Sequence, residues 1–517
     1  MARLSQERSG VVSGSYAQLM HLDEYMAHDA TALAELVSRK EVTPAELLSL
    51  ARQRAEAVNP TLNAIVRRLD GVADIQAADA DLSGAFAGVP FLIKDLYQEY
   101  RGFPTSYGSR SLAHDVADEH ALVTQRFLDA GLVIFGMTNT SEFGGKGVTE
   151  SEYWGPARNP WNTEHTPGGS SGGSGAAVAA GIVPVAGAVD GGGSIRVPAA
   201  CNGLVGLKIS RGLSPYGPQT GEPLFGMVAQ GVISRTVRDN AALYDAIIGP
   251  NPRAAYQVAL PDVPFAEHIK NRPGTLKIGY STSSAINPHP DWEAIAAVEE
   301  AATLLRDLGH QVEEVQPPHD DDALARDFLI IWFAELYRQV AEIKQRIGAR
   351  DSDFEADTLA VGELARSAGV LAPMLALQNT NSYIQSLATF HESYDYFLTP
   401  TLATPPLPVG ATTTSGRLQT ASRVISKLHA GKVLALSGIL DDLIQESLGW
   451  IPYTQLANLT GRPAISVPLH WTDTGLPLGV QFVGRLGADG DLLQLAAQLE
   501  EAHPWCHLHP APALPVN

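Results

Sequence analysis

VPFLIKDL (residues 89–96), ALVTQRFLDAG (121–131) and GLVIFGMT (131–138) are the three segments that set the fold class. The first and last are short apolar runs, the form taken by strands buried on both faces. The middle segment has helical spacing and stops at a glycine, Gly131. Strand, helix, strand predicts an α/β fold with parallel strands. The same order returns downstream, where LKIGYS (276–281) precedes DWEAIAAVEEAATLLRDLG (291–309) and HQVEEV (310–315) follows. Working outward, Asp29 to Val58 reads as two helices. Thr43 is suited to cap the second, with Pro44 in its first position and Glu46 completing a capping box. DFLIIWFAELYRQVAEIKQRI (327–347) sits in a mainly helical stretch, and FLTPTLATPPLP (397–408) returns to strand and turn. PAISVPLH (463–470) and PLGVQFVG (477–484) predict a hairpin turning at Asp473 to Gly475, with a closing helix after it.

Nothing between residues 60 and 505 reads as a flexible linker, so a single domain over 1–517 is expected. Within it, 20–65 holds the N-terminal helices, 88–275 the central core, 320–395 a helical insertion and 396–505 the return to the core.

Composition removes several function classes. The chain has 517 residues with 36 Lys plus Arg against 56 Asp plus Glu, a net charge of −20. Phosphate backbones repel such a chain, and its basic residues are scattered, so no nucleic-acid partner is expected. The two cysteines, Cys201 and Cys506, form neither a disulfide framework nor a zinc pattern. Residues 1–19 lack the apolar core of a signal peptide. The longest nearly uncharged apolar stretch, Gly175 to Val189, is broken by Gly181 and Pro184. It falls short of the roughly 20 residues that span a bilayer. A cytoplasmic protein with no membrane contact is therefore expected.

The segment 159–208, NPWNTEHTPGGSSGGSGAAVAAGIVPVAGAVDGGGSIRVPAACNGLVGLK, carries the functional signal. Two Gly/Ser clusters, 168–175 and 191–194, bracket an apolar run that argues against a linker. No phosphate-loop pattern occurs in them. G-x-S-x-G matches twice, centred on Ser170 and on Ser171, but short matches in a Gly/Ser tract arise easily and no histidine partner is evident.

Taken together, TPGGSSGGSGAAVAAG (166–181), VDGGGSIRVPAACNGLVGLK (189–208) and GVPFLIKDL (88–96) resemble the amidase signature family. RNPWN (158–162), TGRPAISVPL (460–469) and LPLGVQFVG (476–484) extend the resemblance over most of the chain. The resemblance implies a large mixed, mostly parallel twisted sheet flanked by helices, with a helical insertion. It also implies a Ser–cis-Ser–Lys group. Ser194 would be the nucleophile, Ser170, preceded by a cis peptide, the proton carrier, and Lys94 the base. The N–H groups of Gly191, Gly192, Gly193 and Ser194 would form the oxyanion hole. Asp190 and Arg196 would be a supporting ion pair, and Ser171 a supporting hydrogen-bonding group. No metal or organic cofactor is implied.

The chemistry needs those residue types. A serine hydroxyl requires a base, and lysine serves only when burial lowers its pKa from about 10.4. The apolar run before Lys94 suits that. Gly191, Asn202 and Ile209 depart from common family residues, which leaves the subgroup open; Cys201 reads as a packed core thiol. The expected activity is hydrolysis of amide C–N bonds through an acyl-enzyme, with esters and carbamates (urethanes) able to enter the same cycle. Stand-alone aryl and alkyl amidases, nylon-oligomer amidases and urethanases are the nearest in character. The alternative is one component of an amidotransferase, working only in a complex. A monomer or homodimer acting on a small amide, ester or carbamate is expected. Trp332, Phe333, Leu336, Ile439, Leu443, Ile444 and Trp450 either line the pocket or form the insertion's own core.

Overall fold

Capping chemistry sets the first long helix. The Thr43 hydroxyl accepts the Glu46 N–H at 3.2 Å while the Glu46 carboxylate accepts the Thr43 N–H at 2.8 Å. Leu47, Leu48 and Ala51 give this helix its buried face. The computed structural model describes residues 20–80, 82–412 and 439–510. It opens with α1 (Leu22–Ala27), α2 (Ala30–Ser38) and α3 (Pro44–Leu62), so one short helix precedes the two read from sequence.

Next come β1 (Ile65–Arg68), α4 (Asp70–Ala78), β2 (Pro90–Lys94), α5 (Leu122–Asp129) and β3 (Val133–Thr138). β2 and β3 pair in parallel across α5, and β1 joins the far side of β3 antiparallel. Every residue of β2 and β3 is buried. A two-residue pair, β4 (Glu150–Ser151) with β5 (Gly155–Pro156), follows. Then come α6 (Gly172–Ala179), β6 (Val185–Asp190), α7 (Arg196–Asn202), β7 (Val205–Lys208), β8 (Ala229–Ser234), α8 (Val237–Ile247) and α9 (Phe265–His268). β9 (Lys277–Tyr280), α10 (Trp292–Asp307) and β10 (Gln311–Glu314) form the second parallel unit.

The insertion is α11 (Asp321–Ile347), α12 (Ala356–Ala368) and α13 (Leu371–Phe390). β11 (Tyr396–Pro400), α14 (Ile439–Leu448), α15 (Gln455–Thr460), β12 (Ala464–Trp471), β13 (Pro477–Gly484) and α16 (Asp489–Ala502) complete the described chain. No single described helix is long and apolar enough to cross a membrane; α12 and α13 meet that length and composition test only as a pair bent by 88°.

The large sheet runs β10-β9-β11-β13-β12-β7-β8-β6. The α/β class and the mixed sheet match expectation, but the balance of directions does not. Only β10–β9 and β9–β11 are parallel; the other five pairings are antiparallel. The reason lies in the connections. The β12–β13 hairpin turns tightly, with the Thr472 carbonyl accepting the Gly475 N–H at 2.8 Å. Neighbours joined by a turn this short must be antiparallel. That hairpin sits mid-sheet between β11 and β7, and both of its outer pairings are antiparallel too. The strand–helix–strand units that suggested parallel order lie elsewhere, one in the three-stranded sheet and one at the far end of the large sheet.

β2 lies beside β6, so the C-terminal ends of two fully buried strands are neighbours. Gln98 ties them. Its Oε1 accepts the Lys94 N–H at 2.8 Å and its Nε2 donates to the Ala188 carbonyl at 3.3 Å. A Cβ at Gly187 would fall 2.3 Å from that Gln98 oxygen, so a side chain there would displace the amide that ties the strands. α6 is seated as closely. A Cβ at Gly173 would lie 2.4 Å from the Asn139 nitrogen and 2.6 Å from the Ala64 oxygen. Helix propensity alone would make Gly173→Ala stabilising by about 1 kcal/mol. The backbone clash predicts the opposite, a loss of about 1–3 kcal/mol in urea unfolding; an unchanged or raised midpoint would contradict this packing.

Candidate active site

Lys94 ends β2 and is wholly buried, as the apolar run before it dictates. Its Nζ donates to Ser170 Oγ at 2.8 Å. Burial lowers the pKa of the Lys94 ammonium to about 7, against the opposing pull of Asp190. The Gly169–Ser170 peptide is cis. Thr149 clasps this turn from outside, its Oγ1 donating to the Gly168 carbonyl at 2.9 Å and accepting the Gly172 N–H at 3.0 Å. Ser171 bonds both backbone groups of Val189, donating to its carbonyl at 3.2 Å and accepting its N–H at 3.3 Å. It thus joins the first Gly/Ser loop to β6, the strand that leads into the second.

That second loop is shaped by a buried ion pair. Asp190 and Arg196 are both fully buried, with Nε to Oδ2 at 2.9 Å and Nη2 to Oδ1 at 3.0 Å. Burial pushes the Asp190 carboxyl up, but the charge and hydrogen bonds of Arg196 outweigh it and hold it below the usual carboxylate range. Asn458 Nδ2 donates to the same carboxylate at 2.9 Å, and Arg196 also reaches the Thr454 carbonyl at 2.8 Å and Asn458 Oδ1 at 2.6 Å. One expectation needs correcting. The Gly193 N–H donates to Asp190 Oδ1 at 2.7 Å, so it is engaged inside the loop and does not face a substrate oxygen. The N–H groups of Gly191, Gly192 and Ser194 have no acceptor among the described residues. Gly193 has φ +128 and a Cβ there would lie 2.5 Å from Thr454 Oγ1, so glycine is required for a different reason than donor geometry.

Ser194 shares a pocket with Lys94 and Ser170. The other walls are mainly apolar, with Val189, Leu224 and Leu336 among them, while Tyr97, Glu335 and Gln339 add polar groups. A second cavity also reaches Ser194, against Gly192, Phe328 and Ile451. α11 supplies wall to both. Trp332 and Leu336 line the first, Trp332 and Phe333 the second. Leu443 and Ile444 instead pack in the hydrophobic cluster of the insertion, and Trp450 packs in a separate cluster with Ile451. The side chain of Ile439 lies outside the described residues. A Cβ on Gly191 would lie 3.2 Å from the Trp332 indole ring, so the ring packs against bare backbone there.

Sequence reasoning missed several supports. Asp95, next to Lys94, is buried and accepts the Ser106 N–H at 2.7 Å and Trp154 Nε1 at 3.1 Å. Burial raises its carboxyl to about 6 despite these donors. Glu142 accepts Thr358 Oγ1 at 2.5 Å, the Glu355 N–H at 2.9 Å and Ser109 Oγ at 2.7 Å, pinning α12 beside the site. Its carboxyl is raised to about 7, by burial first and by Glu355 second. Asp95 adjoins a recognisable motif residue and was open to notice; Glu142 and Asn458 act across hundreds of residues and carry no local pattern. Among the described residues no cluster of three or more His, Cys, Asp or Glu is arranged to hold a metal ion.

The sequence profile of the amidase family matches residues 46–493. This chain belongs to the amidase family. It is 35% identical over 491 residues to a 6-aminohexanoate-cyclic-dimer hydrolase from a Pseudomonas species, covering 93% of this chain and 96% of the relative. A solved 6-aminohexanoate cyclic dimer hydrolase complexed with substrate superposes with a TM-score of 0.85 at 34% identity, over 94% of this chain and 99% of the other. A bacterial aryl acylamidase of the amidase signature enzymes gives 0.81 at 26%, over 92% and 96%. This amidase is a hydrolase of carbon–nitrogen amide bonds, built on the amidase signature fold. Its Asp190–Arg196 pair yields a direct test. Asp190→Ala would leave the Arg196 cation buried without its carboxylate, and breaking such a pair costs about 3–5 kcal/mol. Urea unfolding should show that loss; a shift below about 1 kcal/mol, on the scale of exposed pairs, would show the pair to be dispensable.

Proposed function

We propose that this amidase is a serine hydrolase in which Ser194 attacks the amide carbonyl. Ser170 accepts the Ser194 proton while passing its own to neutral Lys94. The tetrahedral oxyanion is held by the N–H groups of Gly191, Gly192 and Ser194. Lys94 then returns a proton through Ser170 to the leaving nitrogen, the C–N bond breaks, and an acyl-enzyme remains. Water attacks that ester by the same relay and frees the acid and Ser194. The observation that carries this reading is the Lys94–Ser170 contact of 2.8 Å inside the cavity that also holds Ser194. Ser171, Asp190 and Arg196 act by positioning these groups.

The apolar walls support an aliphatic or aryl amide, cyclic or linear, in keeping with the relative that hydrolyses a 6-aminohexanoate cyclic dimer. Esters and carbamates need the same oxyanion donors and enter the same cycle. The amidotransferase reading has less support. A solved component of the glutamyl-tRNA(Gln) amidotransferase from Thermotoga maritima matches with a TM-score of 0.75 at 28% identity, below both values for the cyclic dimer hydrolase.

Three measurements test the proposal. A fluorophosphonate probe should label Ser194, and Ser194→Ala should abolish turnover of a panel of anilides, aliphatic amides, lactams and carbamates by the purified chain. Labelling at Ser171 or Ser174 would overturn the assignment. The pH profile follows from Lys94. Below about 7 its ammonium cannot accept a proton, and above it the free amine can. Activity should therefore rise through about pH 7 and level off on the alkaline side. Lys94→Arg keeps a permanent cation and should be as inactive as Lys94→Ala. Retained amide turnover by Lys94→Arg would remove Lys94 from the mechanism.

A further inference from the structure

Ser194, Gly144 and Trp332 border both cavities, so the two meet at Ser194. Most polar side chains on these walls are already satisfied. Glu335 holds Arg338 at 2.7 Å, and Gln339 Nε2 donates to Glu335 at 2.9 Å and to Tyr97 Oη at 3.1 Å. Lys146 is paired with Glu355 at 3.2 Å and Asp357 at 3.1 Å. Two buried atoms are not satisfied: Trp332 Nε1 and Gln455 Oε1 have no hydrogen-bond partner among the described residues. One is a donor and the other an acceptor, and both residues line the second cavity.

Neither is free to turn away. Gln455 is 1% exposed, and its Nε2 donates to the Ile451 carbonyl at 3.0 Å, Thr454 Oγ1 at 3.1 Å and the Gly192 carbonyl at 3.3 Å. Reversing the amide would set Oε1 against two carbonyl oxygens, so the orientation is fixed by its surroundings. Trp332 is held between Phe328, with ring centroids 5.5 Å apart, and the bare backbone of Gly191. Buried polar atoms ordinarily find partners, and a leftover donor and acceptor on two residues that line one cavity mark groups that a ligand completes.

We propose that Trp332 and Gln455 recognise a second amide group in the substrate, one that is held and not cut. Its carbonyl oxygen accepts from Trp332 Nε1 and its N–H donates to Gln455 Oε1. A secondary amide is a compact group offering both, with the two pointing in opposite directions across a planar unit. The inference rests on the hydrolase reading above and narrows it. The substrate class is a diamide or longer oligoamide, cyclic or linear, over a simple monoamide such as an anilide.

The test compares kcat/KM for three substrates of equal length. One carries the second amide, one has it replaced by –CH2–CH2–, and one has it N-methylated. The wild-type enzyme should prefer the diamide about tenfold or more over each analogue, the range expected when a site built to bond a polar group meets a substrate lacking it. Trp332→Phe should shrink the preference over the ethylene analogue, and Gln455→Leu the preference over the N-methyl analogue. The N-methyl substrate probes Gln455 in the wild-type protein, so the result does not hang on that variant folding. Equal kcat/KM for all three substrates in the wild type, or preferences unmoved by both variants, would mean that these atoms bind only water. Fluorophosphonate labelling of Ser194 on the same preparation separates the two readings. Labelled, active enzyme without a diamide preference overturns this inference alone, whereas unlabelled enzyme overturns the serine mechanism.

Discussion

The Asp190–Arg196 pair is the constraint on which the site depends. Asp190 is the last residue of β6 and Arg196 the first of α7, so their contact closes the loop that carries Ser194. Because the carboxylate also takes the N–H groups of Gly193 and Ile195, the loop is wound around a charge instead of around apolar side chains. Arg196 extends the same network to Asn458 on α15 and Gln481 on β13. A buried pair of this kind is a weak source of net stability but a strong determinant of a particular arrangement. Here that arrangement joins distant segments of the chain into one wall, with Gln481 contacted by Arg196 across a separation of 285 residues.

Around that wall the helical insertion is attached by polar contacts at one end and by packing along its length. Glu142 holds the start of α12, and Lys146 reaches Glu355 and Asp357. Phe328, Leu329 and Ile331 of α11 belong to a hydrophobic cluster with Tyr383 and Leu387 of α13. The insertion thus packs into a cluster that it shares with Val189 of β6 and Val483 of β13, and Phe328 and Trp332 of α11 also approach Gly192 and Gly191. A Cβ on Gly192 would lie 2.6 Å from Phe328 Cζ, which shows how closely helix and loop approach.

Local patterns were readable from the sequence, and distant pairings were not. Apolar runs and capping residues gave α3, β2, α5 and β3 with their parallel pairing, because those depend on neighbours in the chain. The hairpin β12–β13 was equally plain, yet its position mid-sheet, which makes most pairings antiparallel, depends on which strands meet and leaves no local mark. At the site, the motif residues Lys94, Ser170 and Ser194 came from a family pattern, and the structure brings all three to one cavity. The engagement of Gly193 by Asp190 could not be seen in a run of three glycines, since composition permits several loop paths and only the carboxylate selects one. Whether Trp332 or Trp450 faced the cavity was likewise open, because both sit in apolar text and only the tertiary arrangement sorts them.

α11 presents Phe328, Trp332, Leu336 and Gln339 along the two cavities. Those positions are about one helical turn apart, and the distance from first to last is about 16 Å at roughly 1.5 Å per residue. Under the proposed serine mechanism the helix is a graduated ruler laid beside Ser194, each turn marking a different distance from the bond to be cut. Because the marks are side chains on a rigid rod and the cutting groups are on separate loops, the scale can be redrawn one turn at a time while the blade stays where it is. Divergence in chain length or bulk of substrate then needs only single exchanges along one helix face, a short route by which a common hydrolytic core comes to serve unlike compounds.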